Sequence, residues 1–185
     1  MYNRIYSYLK QHNLLYEKQF GFQKNTSTEH AILELVESIT IALTNKKVTL
    51  GVFIDLSKAF DTVNHEILLE KLQHYGIKGH TLKWLKSYIT NRKQCICIEN
   101  GSFTDLTDVI CGVPQGSILG PLLFLIYVND MPFASTKTSP IIFADDTNPF
   151  ISDKSVENAI KSMNTVTEFN ALYKPMLLEK LSDLC

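Results

Sequence analysis

Three aspartates carry the most specific chemistry this sequence offers. Asp145 and Asp146 stand side by side after the apolar run Ile141-Ile142-Phe143-Ala144. Adjacent carboxylates repel, and a divalent cation is the usual reason a fold keeps them together. Upstream, Val52-Phe53-Ile54 leads to Asp55 in the same way. Two apolar strands, each ending in an acid, can lie side by side in one sheet and bring these carboxylates into a small volume. Such an all-oxygen set suits Mg²⁺ with substrate phosphates. It also suits the two-ion clamp of in-line phosphoryl transfer. Spacing alone leaves a second reading open, in which Asp55 caps the next helix and Asp145-Asp146 is a polar turn.

A third segment, Gly112-Val113-Pro114-Gln115-Gly116-Ser117-Ile118-Leu119-Gly120-Pro121, reads as a loop opening an apolar helix that runs from Pro121 to about Asp130. Gly112 and Gly116 let the backbone approach a ligand closely, and the Gln115 amide can both donate and accept hydrogen bonds. Together with Ile54-Asp55-Leu56-Ser57-Lys58-Ala59-Phe60-Asp61 and Phe143-Ala144-Asp145-Asp146, this loop resembles the palm motifs of reverse transcriptases. The form is that of non-long-terminal-repeat retrotransposons, the long interspersed elements. Gln19-Phe20-Gly21-Phe22, with Ser27-Thr28 and Ala31-Ile32, looks like the same family's fingers motif. The resemblance extends over roughly Met1 to Ile151.

The resemblance implies an RNA-directed DNA polymerase that uses two Mg²⁺ ions, with Mn²⁺ as a substitute. Its partners would be an RNA template, a DNA primer and deoxynucleoside triphosphates. Asp55 and Asp145 would bridge both ions, Asp146 would assist at the ion activating the primer 3′-hydroxyl, and the Leu56 carbonyl would add a ligand. Phe60 stands where the family places a bulky side chain that blocks a ribose 2′-hydroxyl; the competing reading is a core aromatic. Gln115 and Gly116 match the contact to template and incoming nucleotide. Many relatives carry an arginine at the position of Gln23; here Lys24 is the candidate for the triphosphate, the competing reading being a solvated lysine. Asp61 and Asp130 read as structural caps, and His30, His65, His74 and His80 show no ligand spacing.

Bulk properties bound these readings. A chain of 185 residues, 45% hydrophobic, can bury one core. Its formal net charge of −1 argues against a uniformly basic nucleic-acid binder. The distribution is more telling: Lys71, Lys78, Lys83, Lys86, Arg92 and Lys93 follow one another with no acid between them, whereas Lys137 is the one base from Gly101 to Asp153. A basic stretch beside an acidic one fits an enzyme that grips a phosphate backbone, and Lys83, Lys86, Arg92 and Lys93 are its candidate contacts. Cys95, Cys97, Cys111 and Cys185 lack zinc-knuckle spacing and read as reduced thiols. No signal peptide or spanning segment is visible, so a nuclear or cytosolic rather than secreted protein is expected.

The elements that must position these residues follow from periodicity and caps. Helices are expected over Tyr2–His12, Ser27–Thr44 with Thr26 and Glu29 as a capping box, Asn64–Tyr75 stopped by Gly76, and His80–Thr90. Strands are expected over Lys47–Asp55 and Thr147–Ile151, with a hairpin of Gln94–Glu99 and Phe103–Ile110 about Asn100-Gly101. An amphipathic stretch runs from Ser155 to about Tyr173. Pro149 removes a ladder donor and is tolerable only on an edge. The class is α+β: a right-hand polymerase palm and fingers, with a mixed or antiparallel palm sheet and helices on one face. Within a single domain, 1–46 would be fingers-side helices, 47–154 the palm with a fingers hairpin at 94–110, and 155–185 a degenerate end.

Relatives carry a further fingers segment before this point and a primer grip and thumb after it. The pattern therefore implies a piece truncated at both ends, with little activity of its own. Two other readings remain: a decayed or repurposed non-catalytic nucleic-acid-binding fragment, and another palm nucleotidyltransferase such as an RNA-dependent RNA polymerase or nucleotide cyclase. Phe60 and the Pro114-Gln115-Gly116 loop argue against the latter.

Overall fold

A computed structural model describes residues 1–56, 58–97 and 101–171. Ser57, the tip of the expected hairpin at Ile98–Asn100, and the end of the chain including Tyr173 and Cys185 lie outside the described residues. Helices and short antiparallel strands alternate, so the α+β expectation holds. Two compact units form: Met1–Tyr6 with Lys58–Tyr127, and Ser7–Ser57 with the chain from Val128 on. Helix α1 (Tyr2–Gln11) carries residues of both. No described helix is long and apolar enough to cross a membrane.

The second unit holds the aspartates. Helix α2 (Thr28–Thr44) precedes strand β1 (Val48–Gly51), and strands β4 (Ile141–Phe143), β5 (Asp146–Asn148) and β6 (Phe150–Asp153) lead into α6 (Val156–Ala171). β1 pairs antiparallel with β6, from Val48↔Asp153 to Gly51↔Phe150. The same register continues past the regular ladder to Ile54↔Thr147. Between them Val52 N–H donates to the Pro149 carbonyl at 3.1 Å, while Pro149 has no N–H to return. That missing donor is the break between β5 and β6. Pro149 is not on a free edge: β1 flanks it, and only the β4 pairing has stopped, at Ile141↔Asn148.

Strand alternation sorts the side chains onto two faces. Leu50, Val52 and Ile151 turn to α6, where they meet Ala159 and Met163. Phe53, Asn148 and Phe150 turn the other way, beside Thr28, Ala31, Ile32 and Leu35 of α2. Helices therefore cover both faces of this sheet, not one. β4 is paired on both sides, with β5 and through Phe20 N–H to Ile142 O (2.8 Å) and Ile142 N–H to Lys18 O (2.9 Å).

Caps fix the ends of α2 and its approach. The capping-box expectation is off by one: Ser27 is the N-cap, accepting from His30 N–H, and the Thr26 hydroxyl instead donates to the Phe20 and Gln23 carbonyls at 2.6 and 2.9 Å. Asn129 holds the preceding loop, accepting from Tyr16 N–H at 2.8 Å and donating to Leu14 O at 2.6 Å. The Tyr16 hydroxyl donates to Pro140 O at 2.9 Å. Burial, then the negative charge of Glu17, pushes this phenol up to about 12, so it stays a donor throughout the physiological range.

In the first unit, helix α3 (His65–His74) is capped by Asn64, whose side chain accepts from Glu66 and Ile67 N–H. It ends as Gly76 promised. Gly76 takes φ +85°, Ile77 N–H reaches Leu72 O, and Gly76 N–H reaches Gln73 O, a Schellman closure. Helix α4 (Gly79–Ile89) packs on α3 and buries Leu85 and Ile89, with Leu82 half-buried. Strands β2 (Arg92–Gln94) and β3 (Thr107–Val109) pair antiparallel, Arg92↔Val109 to Gln94↔Thr107, earlier than the expected Gln94–Glu99 strand. Farther out, Cys97 opposes Phe103. That leaves one more residue on the Thr104–Leu106 side than on the Cys95–Ile96 side, a β-bulge. Helix α5 (Gly120–Val128) follows the Gly112–Ser117 loop.

Candidate catalytic site

The register of the second unit decides where the three acids stand. With Ile54 opposite Thr147, the next pair outward is Asp55 and Asp146. Paired residues of an antiparallel ladder share a face, so both acids belong to the face that carries Phe53 and Asn148. Both are exposed and both line an open cleft of about 400 Å³ between this face and α2. Asp145, half-buried, occupies the two-residue turn Ala144-Asp145 that joins β4 to β5 under the pair Phe143↔Asp146. The backbone thus brings the three sequence-predicted aspartates to neighbouring positions. The side chains do not go as far: among the described residues no three His, Cys, Asp or Glu groups form a cluster that could hold a metal ion as they stand. The donor chemistry still fits a hard cation, since every side chain contributed by these positions is a carboxylate.

The turn itself is strained. Ala144 sits at φ +59°, a left-handed conformation that costs a residue with a Cβ about 1 kcal/mol or more. Gln19 holds it there. Its Oε1 accepts from Ala144 N–H at 3.1 Å and Gly21 N–H at 2.8 Å, and its Nε2 donates to Ala144 O at 3.2 Å. Gly21 leaves the room, because a Cβ there would lie 2.0 Å from the Ala144 nitrogen. Gln23 is buried behind them, with Nε2 donating to Gln19 O at 2.6 Å. Gln23 is thus a buried amide bracing the loop. Lys24 is exposed, and the neighbouring Lys18 pairs with Glu34 of α2 at 2.7 Å. Leu56 is half-buried beside Asp55. Sequence reasoning singled out none of the Gln19 contacts. The signal available was a polar residue followed by glycine in an apolar segment.

The remaining predicted residues lie in the first unit. Phe60 is half-buried, its ring stacked on fully buried Phe124 at 4.5 Å between centroids. Gln115 and Gly116 are exposed, with Gly116 at φ +72°. Gln115 Nε2 donates to Asp61 Oδ1 at 2.7 Å, so Asp61 orients the glutamine and is not a helix cap. Asp130, in the other unit, stands at the N-cap of the short helix Met131–Ala134 but its side chain makes no capping bond. His65, buried, has Nε2 at 2.7 Å from Gly112 O and so anchors the loop to α3. Gly112 has no space for a side chain, since a Cβ would stand 2.9 Å from Asp61 O.

The basic stretch is smaller than its sequence. Lys71 is buried, its ammonium donating to Tyr127 O at 2.6 Å and lying 5.0 Å over the Tyr127 ring. It is a packing residue, not part of a phosphate-binding face. Lys83, Lys86 and Arg92 are exposed, and Lys93 is 3.7 Å from Asp108. Cys95, Cys97 and Cys111 are exposed and form no disulfide among the described residues.

Similarity to known proteins shows the family of the chain. The family model for reverse transcriptase (RNA-dependent DNA polymerase) matches residues 1–177, and the chain belongs to that family. Among its relatives in Drosophila melanogaster, the probable RNA-directed DNA polymerase from transposon BS is 34% identical over 136 residues, covering 70% of this chain and 14% of the relative. The probable RNA-directed DNA polymerase from transposon X-element is 34% identical over 147 residues, 77% of this chain and 16% of the relative. The RNA-directed DNA polymerase from mobile element jockey is 30% identical over 145 residues, 75% of this chain and 16% of the relative. The chain therefore spans about one-seventh of the length of these relatives.

If the loop at Gly21 supports the aspartate turn, Gly21→Ala should lower the unfolding free energy by about 1–3 kcal/mol, the usual cost of forcing a methyl into packed backbone. Urea denaturation measures it. An unchanged midpoint would mean the two segments do not touch.

Proposed function

We propose that this chain is the polymerising segment of a retrotransposon RNA-directed DNA polymerase, adding deoxynucleotides to a primer 3′-hydroxyl on an RNA template. The observation that carries the reading is the ladder register that sets Asp55 opposite Asp146, next to the strained turn bearing Asp145, in a chain of the reverse transcriptase family. In this reading the sheet of β1, β4, β5 and β6 is the palm surface, and the β2–β3 hairpin belongs to the fingers. Asp55 and Asp145 would hold two Mg²⁺ ions, with Asp146 assisting and the Leu56 carbonyl adding an oxygen; Mn²⁺ would substitute. Bound there, the ions would supply acidity to the attacking hydroxyl and charge stabilisation to the leaving pyrophosphate.

The other roles belong to the chain's own side chains. Phe60, backed by Phe124, presents a rigid ring against a ribose 2′-hydroxyl. Gln115, oriented by Asp61, offers its free carbonyl and remaining N–H to template and nucleotide. Lys24 supplies positive charge for a triphosphate. Lys83, Lys86 and Arg92, with Lys93 partly neutralised by Asp108, hold phosphates without reading bases.

Primer extension on an RNA template with Mg²⁺, using the chain within its full reading frame, tests the reading. Asp55→Asn, Asp145→Asn and Asp146→Asn should each lower the rate by about 10³-fold or more, the equivalent of several kcal/mol of lost charge stabilisation. Their thermal unfolding should be unchanged or slightly later, since one like charge is gone. A wild-type rate in any of the three would overturn the assignment.

Phe60→Val should raise the efficiency of ribonucleotides relative to deoxynucleotides by about tenfold or more, because the clash is steric and the fit of a pocket is worth that much. The ratio of kcat/KM values reads it directly. An unchanged ratio at retained activity would return Phe60 to the core beside Phe124.

A further inference from the structure

The Ala144-Asp145 turn is short, strained and buried at its first residue, with Ala144 8% exposed. Nothing in its own sequence favours φ +59°: glycine is the residue that tolerates the left-handed region, and alanine is not. The compensation comes from outside the turn. Gln19, only 4% exposed, presents its carboxamide edge-on to Ala144 and satisfies both its N–H and its C=O, as a neighbouring strand would. The second acceptor site of the same Oε1 takes Gly21 N–H. Gln19 is in turn fixed by Gln23 on its carbonyl and by the backbone bonds of Lys18 and Phe20 to Ile142. A carboxamide is the side chain that can accept and donate at adjacent atoms, and a carboxylate or an aliphatic chain of similar size cannot.

We propose that Gln19 is a positioning residue for the aspartates: it clamps the Ala144 backbone in its left-handed conformation and so fixes where Asp145 and Asp146 project relative to Asp55. The inference rests on the polymerase reading given above. It assigns a residue far upstream in sequence to the geometry of the acids, with no contact of its own to substrate. Small misplacements of reacting groups cost on the order of 10²-fold in rate, and outer partners of metal ligands are worth roughly 10–100-fold in metal affinity. The expected signature is therefore specific. Loss of the clamp lowers kcat and loosens ion binding, and leaves the KM for nucleotide nearly unchanged, because Gln19 does not reach the nucleotide.

The test uses the chain within its full reading frame, with Gln19→Leu, Gln19→Glu and each of these combined with Ala144→Gly. Gln19→Leu should lower kcat about 100-fold and weaken Mn²⁺ binding, followed by electron paramagnetic resonance, about tenfold. Gln19→Glu keeps the acceptors and loses the donor, so its kcat should fall between those of Gln19→Leu and wild type. Ala144→Gly should restore at least tenfold of the lost kcat in the Gln19→Leu background and most of the smaller loss in the Gln19→Glu background, because glycine occupies φ +59° without help. A packing role alone predicts no such rescue. Should Gln19→Leu fail to fold, the Gln19→Glu pair decides alone. Wild-type kcat and Mn²⁺ affinity in the folded variants, or no rescue by Ala144→Gly, overturns the proposal. Asp145→Asn run alongside separates the two claims: if it is fully active the polymerase reading itself fails, and if it is inactive while the Gln19 variants are unaffected only the clamp fails.

Discussion

The pairing of residues 48–54 with 147–153 constrains everything else in the aspartate-bearing unit. It is held at one end by Val48↔Asp153 and at the other by Ile54↔Thr147. A slip of one residue would turn every side chain to the opposite face. Leu50, Val52 and Ile151 would leave the Ala159 and Met163 side, and Asp55 would no longer share a face with Asp146. The apolar contacts with α6 thus pin the register, and the register places the acids. Pro149 weakens the ladder by one bond in the middle of this strand pair, and the apolar contacts on either side of it keep the alignment.

A second constraint acts across β4. The turn at Ala144 costs about 1–2 kcal/mol in backbone strain. Each hydrogen bond of the buried Gln19 amide contributes about 0.5–1.5 kcal/mol net, and the two that reach Ala144 offset the strain. The balance favours a turn that stays formed without a ligand. The absence of a Cβ at Gly21 is what permits the approach, since the Ala144 nitrogen occupies that space. Stability and site geometry meet in one contact.

The sequence was legible where local chemistry dominates. The neighbouring backbone positions of Asp55 and of the Asp145-Asp146 pair could be read because an apolar run leads to each, and the Gly76 stop because a left-handed closure wants glycine. It was less legible where a partner far along the chain decides. The N-cap of α2 moved from Thr26 to Ser27 because the Thr26 hydroxyl is engaged by the carbonyls of Phe20 and Gln23. Lys71 looked like a member of a basic face, yet its ammonium is taken by Tyr127 O. The contacts of His65 and Gln19 could not be read, although Gln19 stood in a recognised motif, because each acts through a backbone group distant in sequence, Gly112 O and Ala144. Periodicity reports which face a residue is on; it does not report what a buried polar tip finds there.

Crystals of the chain soaked in Mn²⁺ and measured for anomalous scattering test the central claim most directly. The account predicts a peak in the cleft at about 2.1 Å from carboxylate oxygens of Asp55 and of at least one of Asp145 and Asp146, the contact distance of small octahedral cations. A peak that avoids Asp55, or a map in which the carboxylates of Asp55 and Asp146 point to opposite faces of the sheet, would contradict it.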